Sequence, residues 1–147
     1  MPYLQTTSSE SQGQFSPDGH WIAYTSDESG TREVYVQSFP VGAPKVQVST
    51  AGGIQPRWRP DGKEIFYLAA DGKLMAVGVQ TTPKFEAGAP KALFDLRIAR
   101  SVSSDAFGYD VTADGKRFLV NNPSTAPESS ASAPITVVVN WLAALKR

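Results

Sequence analysis

The sequence predicts an all-β fold built from repeated four-stranded antiparallel sheets, and three observations predict it. A ten-residue pattern occurs three times: Phe15-Ser16-Pro17-Asp18-Gly19-His20-Trp21-Ile22-Ala23-Tyr24, then Trp58-Arg59-Pro60-Asp61-Gly62-Lys63-Glu64-Ile65-Phe66-Tyr67, then Val111-Thr112-Ala113-Asp114-Gly115-Lys116-Arg117-Phe118-Leu119-Val120. The 147 residues include 12 glycines and 11 prolines beside 10% aromatic residues, a mixture that suits many short strands and turns better than helices. Further apolar runs, each bounded by turn residues, follow the first two copies. Four antiparallel strands per repeat of this length is the pattern of a β-propeller blade.

Each element has a local cause. Proline presets φ at the first turn position and Asp-Gly tolerates positive φ, so each copy of the motif reads as a hairpin between two strands. In blade one, Trp21–Ser26 turns at Asp27-Glu28-Ser29-Gly30 into Glu33–Phe39, and Lys45–Thr50 follows Gly42-Ala43-Pro44 as a fourth strand. In blade two, Glu64–Ala69 turns at Ala70-Asp71-Gly72-Lys73 into Leu74–Val79, and Lys91–Asp95 follows Gly88-Ala89-Pro90. Blade three has strands at Phe107–Thr112, Arg117–Asn121 and Ile135–Trp141, with Leu142–Arg147 as a short tail. Asp18 and Asp61 lie 43 residues apart, Asp61 and Asp114 53; the second interval is longer, and the third copy carries a Ser/Pro/Ala-rich insertion, Asn122 to Pro134, that reads as a surface loop. The predicted blades are therefore 12–51, 54–96 and 105–141, and a spare strand, Tyr3–Thr6, is expected to complete the third, supplied by a partner chain.

The Phe/Trp-Ser-Pro-Asp-Gly motif resembles the TolB-type (WD40-like) propeller repeat. The stretches Leu4-Gln5-Thr6, Ser26–Gly30, Glu33–Val36, Gly52–Trp58 and Ile135–Trp141 make the whole chain similar to the C-terminal propeller region of bacterial serine/threonine kinases. No Gly-rich phosphate loop or His-Arg-Asp catalytic loop is present, so a kinase activity would belong to another part of such a parent protein. The resemblance implies a binding or scaffolding propeller, in a parent protein whose propeller can lie outside the cytoplasm behind a membrane anchor. It also implies a six-bladed ring, which two three-bladed chains would complete as a homodimer.

Composition narrows the chemistry. Fourteen Lys and Arg balance fourteen Asp and Glu, so no general attraction to nucleic acid or to an anionic membrane is expected. The absence of cysteine excludes disulfides, thiolate metal sites and a cysteine nucleophile. A single histidine excludes a multi-histidine metal centre within one chain. The start of the chain lacks the basic and apolar regions of a signal peptide. The most apolar stretch, Ile135 to Leu145, is shorter than the roughly 20 residues a membrane helix needs.

Candidate residues follow from repeat position. Asp18, Asp61 and Asp114 read as turn formers, and His20 shares its place with Lys63 and Lys116 as an exposed turn residue. Gln14, Arg57 and Asp110 fall at one position of the inner strands, which line a propeller's channel; with Arg59 they are the candidate ligand-binding set, the alternative being that Arg57 pairs with a carboxylate between blades. The ligand would be a protein or a small polar molecule, and no catalytic residue, cofactor or metal is expected. Asp27, Glu28 and Asp105 lack the spacing of a calcium loop. Phe15, Trp58 and Val111 share one position and are expected in the core, as are Ile22, Ile65 and Phe118, and Tyr24, Tyr67 and Val120. The alternative function is a metal-dependent propeller hydrolase of the lactonase or phosphotriesterase type, for which Asp110 is the channel carboxylate.

Overall fold

A computed structural model describes residues 3–4, 6–96, 106–121 and 135–138. These residues contain twelve strands and no helix, hence no helix long and apolar enough to cross a membrane. Blade one is β1 (Glu10–Phe15), β2 (Trp21–Ser26), β3 (Glu33–Ser38) and β4 (Val46–Gln47), antiparallel in that order. Blade two is β5 (Gly53–Trp58), β6 (Glu64–Ala69) and β7 (Lys73–Gln80), whose outer edge pairs with β8 (Glu86–Ala87) at one end and β9 (Lys91–Asp95) at the other. Blade three is β10 (Tyr109–Val111), β11 (Phe118–Asn121) and β12 (Ile135–Val138). The all-β propeller-blade class is thus what the sequence predicts. The Asn122–Pro134 insertion, the Leu142–Arg147 tail and Asp105 lie outside the described residues.

The three motif turns are alike in detail. Gly19, Gly62 and Gly115 have φ of +73°, +72° and +68°, the region that favours glycine. Asp18, Asp61 and Asp114 each accept a hydrogen bond from the backbone N–H two residues on, His20, Lys63 and Lys116, at 3.0–3.1 Å. The hydroxyl of Ser16 holds the Asp18 carboxyl below the usual range, with the His20 N–H adding to the effect. Thr112 and the Lys116 N–H do the same for Asp114. A depressed folded-state value means that the stabilisation is present above the ordinary carboxylate range and is lost as pH falls through the folded value. Asp18→Ala is therefore expected to lower the urea midpoint at neutral pH, and the gap to wild type should narrow as the solution is acidified. A gap that stays constant with pH would show that the carboxylate contributes no charge-dependent stability.

Two apolar layers join the blades. Trp21, Ala23, Val34 and Val36 of blade one meet Trp58, Ile65, Tyr67, Val77 and Val79 of blade two. On the other face of blade two, Phe66, Leu68, Leu74 and Ala76 meet Tyr109, Phe118 and Val120 of blade three. The Phe66 and Phe118 rings meet edge to face at 5.0 Å, a favoured aromatic arrangement. Alternation along each strand produces both layers, since successive side chains point to opposite faces of a sheet.

Three differences from the sequence reading have physical causes. The fourth strand of blade one shortens to Val46–Gln47 because the Ser49 hydroxyl, in place of a backbone carbonyl, accepts the Val34 N–H at 2.8 Å. The segment before β9 forms the extra strand β8 and buries Phe85 between Trp21 and Trp58, at ring distances of 5.3 and 6.3 Å. Phe15 is 57% exposed, unlike Trp58 at 7%, because no blade covers it in the single chain. Tyr3, Leu4 and Thr6 carry no strand structure in the single chain, and Gln5 lies outside the described residues. Tyr3 and Leu4 pack on Ile22, Tyr24 and Tyr35 of their own blade, and the Tyr3 hydroxyl donates to the Ser38 carbonyl.

Candidate functional site

The inner strands β1, β5 and β10 bring three of the four candidate residues into a row. Arg57 Nη1 donates to Gln14 Oε1 at 3.3 Å, and Arg57 Nε lies 3.7 Å from Asp110 Oδ1. The guanidinium carbon sits 3.9 Å from the centre of the Phe107 ring, a cation–π contact that covers one face of the fork. Both polar contacts are long for charge-assisted pairs, which favour about 2.7–2.9 Å. Arg57 Nε is buried yet makes no hydrogen bond. The row therefore holds a guanidinium in place without using all of its donors. Arg59, the fourth candidate, is engaged elsewhere: its Nη1 donates to Glu64 Oε2 at 2.8 Å and its Nε lies 3.3 Å from Asp61, within its own hairpin. Its side chain also lies against Gly115 of the blade-three turn.

Behind the row stands a feature that repeat arithmetic did not single out. Gln12 and Gln55 both have φ of +58° and sit at irregularities in the β1–β2 and β5–β6 ladders. Gln12 Oε1 accepts the backbone N–H of Gln55 at 2.9 Å, 43 residues on. Gln55 Oε1 accepts the backbone N–H of Gly108 at 2.8 Å, 53 residues on. Each glutamine thus ties its inner strand to the same repeat position of the next blade. The Tyr109 hydroxyl donates to the Gln55 carbonyl at 2.7 Å, and burial pushes that phenol well above its usual range, keeping it neutral as a donor. The available sequence signal was the recurrence of Gln at the same repeat position in blades one and two.

A second concavity, of about 840 Å³, lies between blades one and two beside the β2–β3 and β6–β7 turns. Arg32, Ile54, Leu68, Asp71 and Asp95 are among its lining residues, with Gly52 and Gly53 contributing backbone. Buried Glu33 fixes that backbone: one oxygen accepts the Gly52 N–H at 2.9 Å and the other accepts the Ser49 hydroxyl. Asp71 pairs with Lys73 at 2.7 Å, which holds the carboxyl down and the ammonium up. Burial, with the charges of Glu33 and Asp71 adding to it, pushes the Tyr67 phenol up to about 12. Gly52 has φ of +85°, and a methyl group there would meet the Ala70 Cβ at 2.6 Å. Gly52→Ala is expected to cost about 1–2 kcal/mol from backbone strain and that collision, read as a lower thermal midpoint. An unchanged midpoint would contradict the described path of this segment.

His20 stays in its turn: its carbonyl accepts the Phe39 N–H at 2.7 Å, and the residue is exposed. Asp27 accepts the Ser9 N–H, and Glu28 pairs with Lys45. Among the described residues, no three His, Cys, Asp or Glu side chains gather closely enough to hold a metal ion.

The fold is that of a TolB-like β-propeller, and solved structures place it there. Over 90% of this chain and 30% of the other, it is similar to TolB from Acinetobacter baumannii, with a TM-score of 0.53 and 20% identity. It is also similar to an oligogalacturonate lyase from Vibrio parahaemolyticus, with a TM-score of 0.54 and 18% identity over 74% of this chain and 27% of the other. An oligogalacturonate lyase in complex with manganese matches at a TM-score of 0.53 and 15% identity over the same shares. The chain thus spans 27–30% of the length of these structures. No family model and no curated protein matches it.

Proposed function

We propose that this chain is a non-catalytic propeller module that binds a small polar ligand or a protein side chain at the Gln14–Arg57–Asp110 row. One observation carries the reading. A guanidinium is held at the channel-lining strands by contacts of 3.3 and 3.7 Å, with a buried Nε that makes no hydrogen bond. A carboxylate or carbonyl entering there could take up the unused donor and shorten the contacts, which is where a charge-assisted hydrogen bond gains most. Asp110 is 60% exposed at its side chain, so it can turn aside at little cost. Arg59, spent on Asp61 and Glu64, shapes the neighbouring hairpin in this reading. The similarity to kinase propeller regions supports the same class of role, a recognition module following a catalytic domain in a longer protein.

The test is a thermal-shift series with small carboxylates, including galacturonate, on wild type and Arg57→Met. The reading expects a concentration-dependent rise in midpoint for at least one carboxylate, lost in the variant. A flat response across the series removes the row as a ligand site. In parallel, purified protein is assayed for bound divalent metal and for turnover of ester, lactone, phosphotriester and oligogalacturonate substrates. A tightly bound ion with EDTA-sensitive turnover would replace this reading with the metal-dependent one.

A further inference from the structure

The inner strands are tied to one another two positions before the Gln14–Arg57–Asp110 row, at Gln12, Gln55 and Gly108. In β1 the residues Gln12 and Gly13 stand opposite Tyr24 alone, and in β5 Gln55 and Pro56 stand opposite Tyr67 alone. The first residue of each bulge has φ of +58°, a conformation that residues other than glycine rarely take, and a bulge re-aims the side chain it carries. Gln12 spends its amide in two directions. Its Oε1 accepts the Gln55 N–H and the Thr25 hydroxyl, both at 2.9 Å, and its Nε2 donates to the Ala106 carbonyl, just before β10, at 3.3 Å. Gln55 carries the tie on to the Gly108 N–H. One rung thus binds the inner strands together from blade one to blade three. On the opposite side of the row, two positions on, stand Ser16, Arg59 and Thr112. Ser16 bonds to Asp18, Arg59 to Glu64 and Thr112 to Asp114, each inside its own hairpin. Below them Arg57 keeps an unspent donor, its buried Nε.

We propose, resting on the row's being a ligand site, that it takes a chain-terminal carboxylate, entering end-on from the side of the Asp-Gly motif turns, with the rest of the ligand running back past those turns. A chain threading between the strands beyond Arg57 would have to break the glutamine rung, so the ligand ends at the row. Two residues of strand rise about 6–7 Å. A carboxylate passing the level of Ser16, Arg59 and Thr112 must reach that far ahead of the chain that carries it. An extended chain end does so, and a carboxyl group on a short side branch does not. The hydroxyls of Ser16 and Thr112 and the Arg59 guanidinium are engaged in their hairpins, so they do not hold the carboxylate back. At the row, Phe107 covers one face of the Arg57 guanidinium and Gln14 takes Nη1, which leaves the edge that carries Nε. A carboxylate meets such an edge in its plane, through parallel hydrogen bonds. Asp110 holds that edge only loosely, at 3.7 Å, and gives way to the ligand.

Titration followed by nuclear magnetic resonance tests class and direction together. The probes are acetyl-trialanine with a free C-terminus, its C-terminal amide, a doubly blocked tripeptide with aspartate at its centre, and acetate. The readout is the Arg57 Nε–H resonance, assigned by its absence in Arg57→Lys. Acetyl-trialanine is expected to shift it at a concentration about tenfold below that needed by the aspartate peptide, the gap made by one hydrogen bond to a charged group. The amide should leave it unmoved. A nitroxide on the N-terminus of trialanine should broaden the Gly62 and Gly115 amides in the motif turns and spare Gly30 and Gly72, in the turns at the other ends of the sheets. Acetate binding as tightly as acetyl-trialanine would keep the terminal carboxylate and make the ligand a free small acid. An aspartate peptide that binds as well as acetyl-trialanine, or broadening at Gly30 and Gly72, overturns end-on entry while leaving the row a ligand site. No shift with any carboxylate removes the row as a ligand site, and the proposal with it.

Discussion

Trp58→Ala is expected to lower stability by about 3–5 kcal/mol, the usual cost of deleting a large buried aromatic side chain. Trp58 is 7% exposed and lies in the layer between blades one and two. Its indole N–H donates to the Gln14 carbonyl at 3.1 Å, so truncation removes an inter-blade hydrogen bond as well as packing. Phe85 stands edge-on to its ring and would border the cavity left behind. Urea unfolding checks the value, and the companion variant Phe15→Ala sharpens it. Phe15 has the same repeat position but is 57% exposed, so its truncation should cost less than about 1 kcal/mol. Equal losses at the two positions would mean that the layer between blades is not where the stability resides.

Gln55→Met should cost up to about 3 kcal/mol, because the side-chain volume is nearly kept while the buried Gly108 N–H loses its acceptor. Gln55 is 2% exposed. Gln12→Met should behave similarly, since Gln12 Oε1 also accepts the Thr25 hydroxyl at 2.9 Å. The double variant is informative. The two glutamines share the hydrogen bond from the Gln55 N–H to Gln12, so departure from additivity would measure how far the two latches act as a chain. A near-neutral Gln55→Met in chemical denaturation would remove the latch from the account.

Most of the strand layout was legible in the sequence because Pro-Asp-Gly and Asp-Gly turns fix hairpins locally, before any tertiary contact forms. Trp21–Ser26 and Glu64–Ala69 have the predicted bounds for that reason. The Gln14–Arg57–Asp110 row was legible because repeat arithmetic places one residue per inner strand at one height. Arg59 stands apart from that row in the structure, since its hairpin offers Asp61 and Glu64 at 3.3 and 2.8 Å. Phe15 misled because repeat position predicts burial only where a neighbouring blade exists. The latch escaped notice because its third member is Gly108, which contributes only a backbone N–H and so leaves no side-chain pattern. Strand β8 escaped because a two-residue ladder has no periodicity to detect, although Phe85 within that segment is an apolar residue among polar ones.

Glutamine side chains join successive inner strands at one repeat position, Gln12 to the Gln55 N–H and Gln55 to the Gly108 N–H. Residue-resolved amide hydrogen exchange tests this most directly. The Gln55 and Gly108 N–H groups bond to glutamine oxygens of the preceding blade, so protection depends on the contact between blades. Both amides are expected to exchange as slowly as the neighbouring strand amides in wild type, and Gln12→Met should speed Gln55 while leaving Gly108 slow. Exchange of both at the rate of an unprotected chain, in a protein whose β6 and β7 amides remain protected, would contradict it.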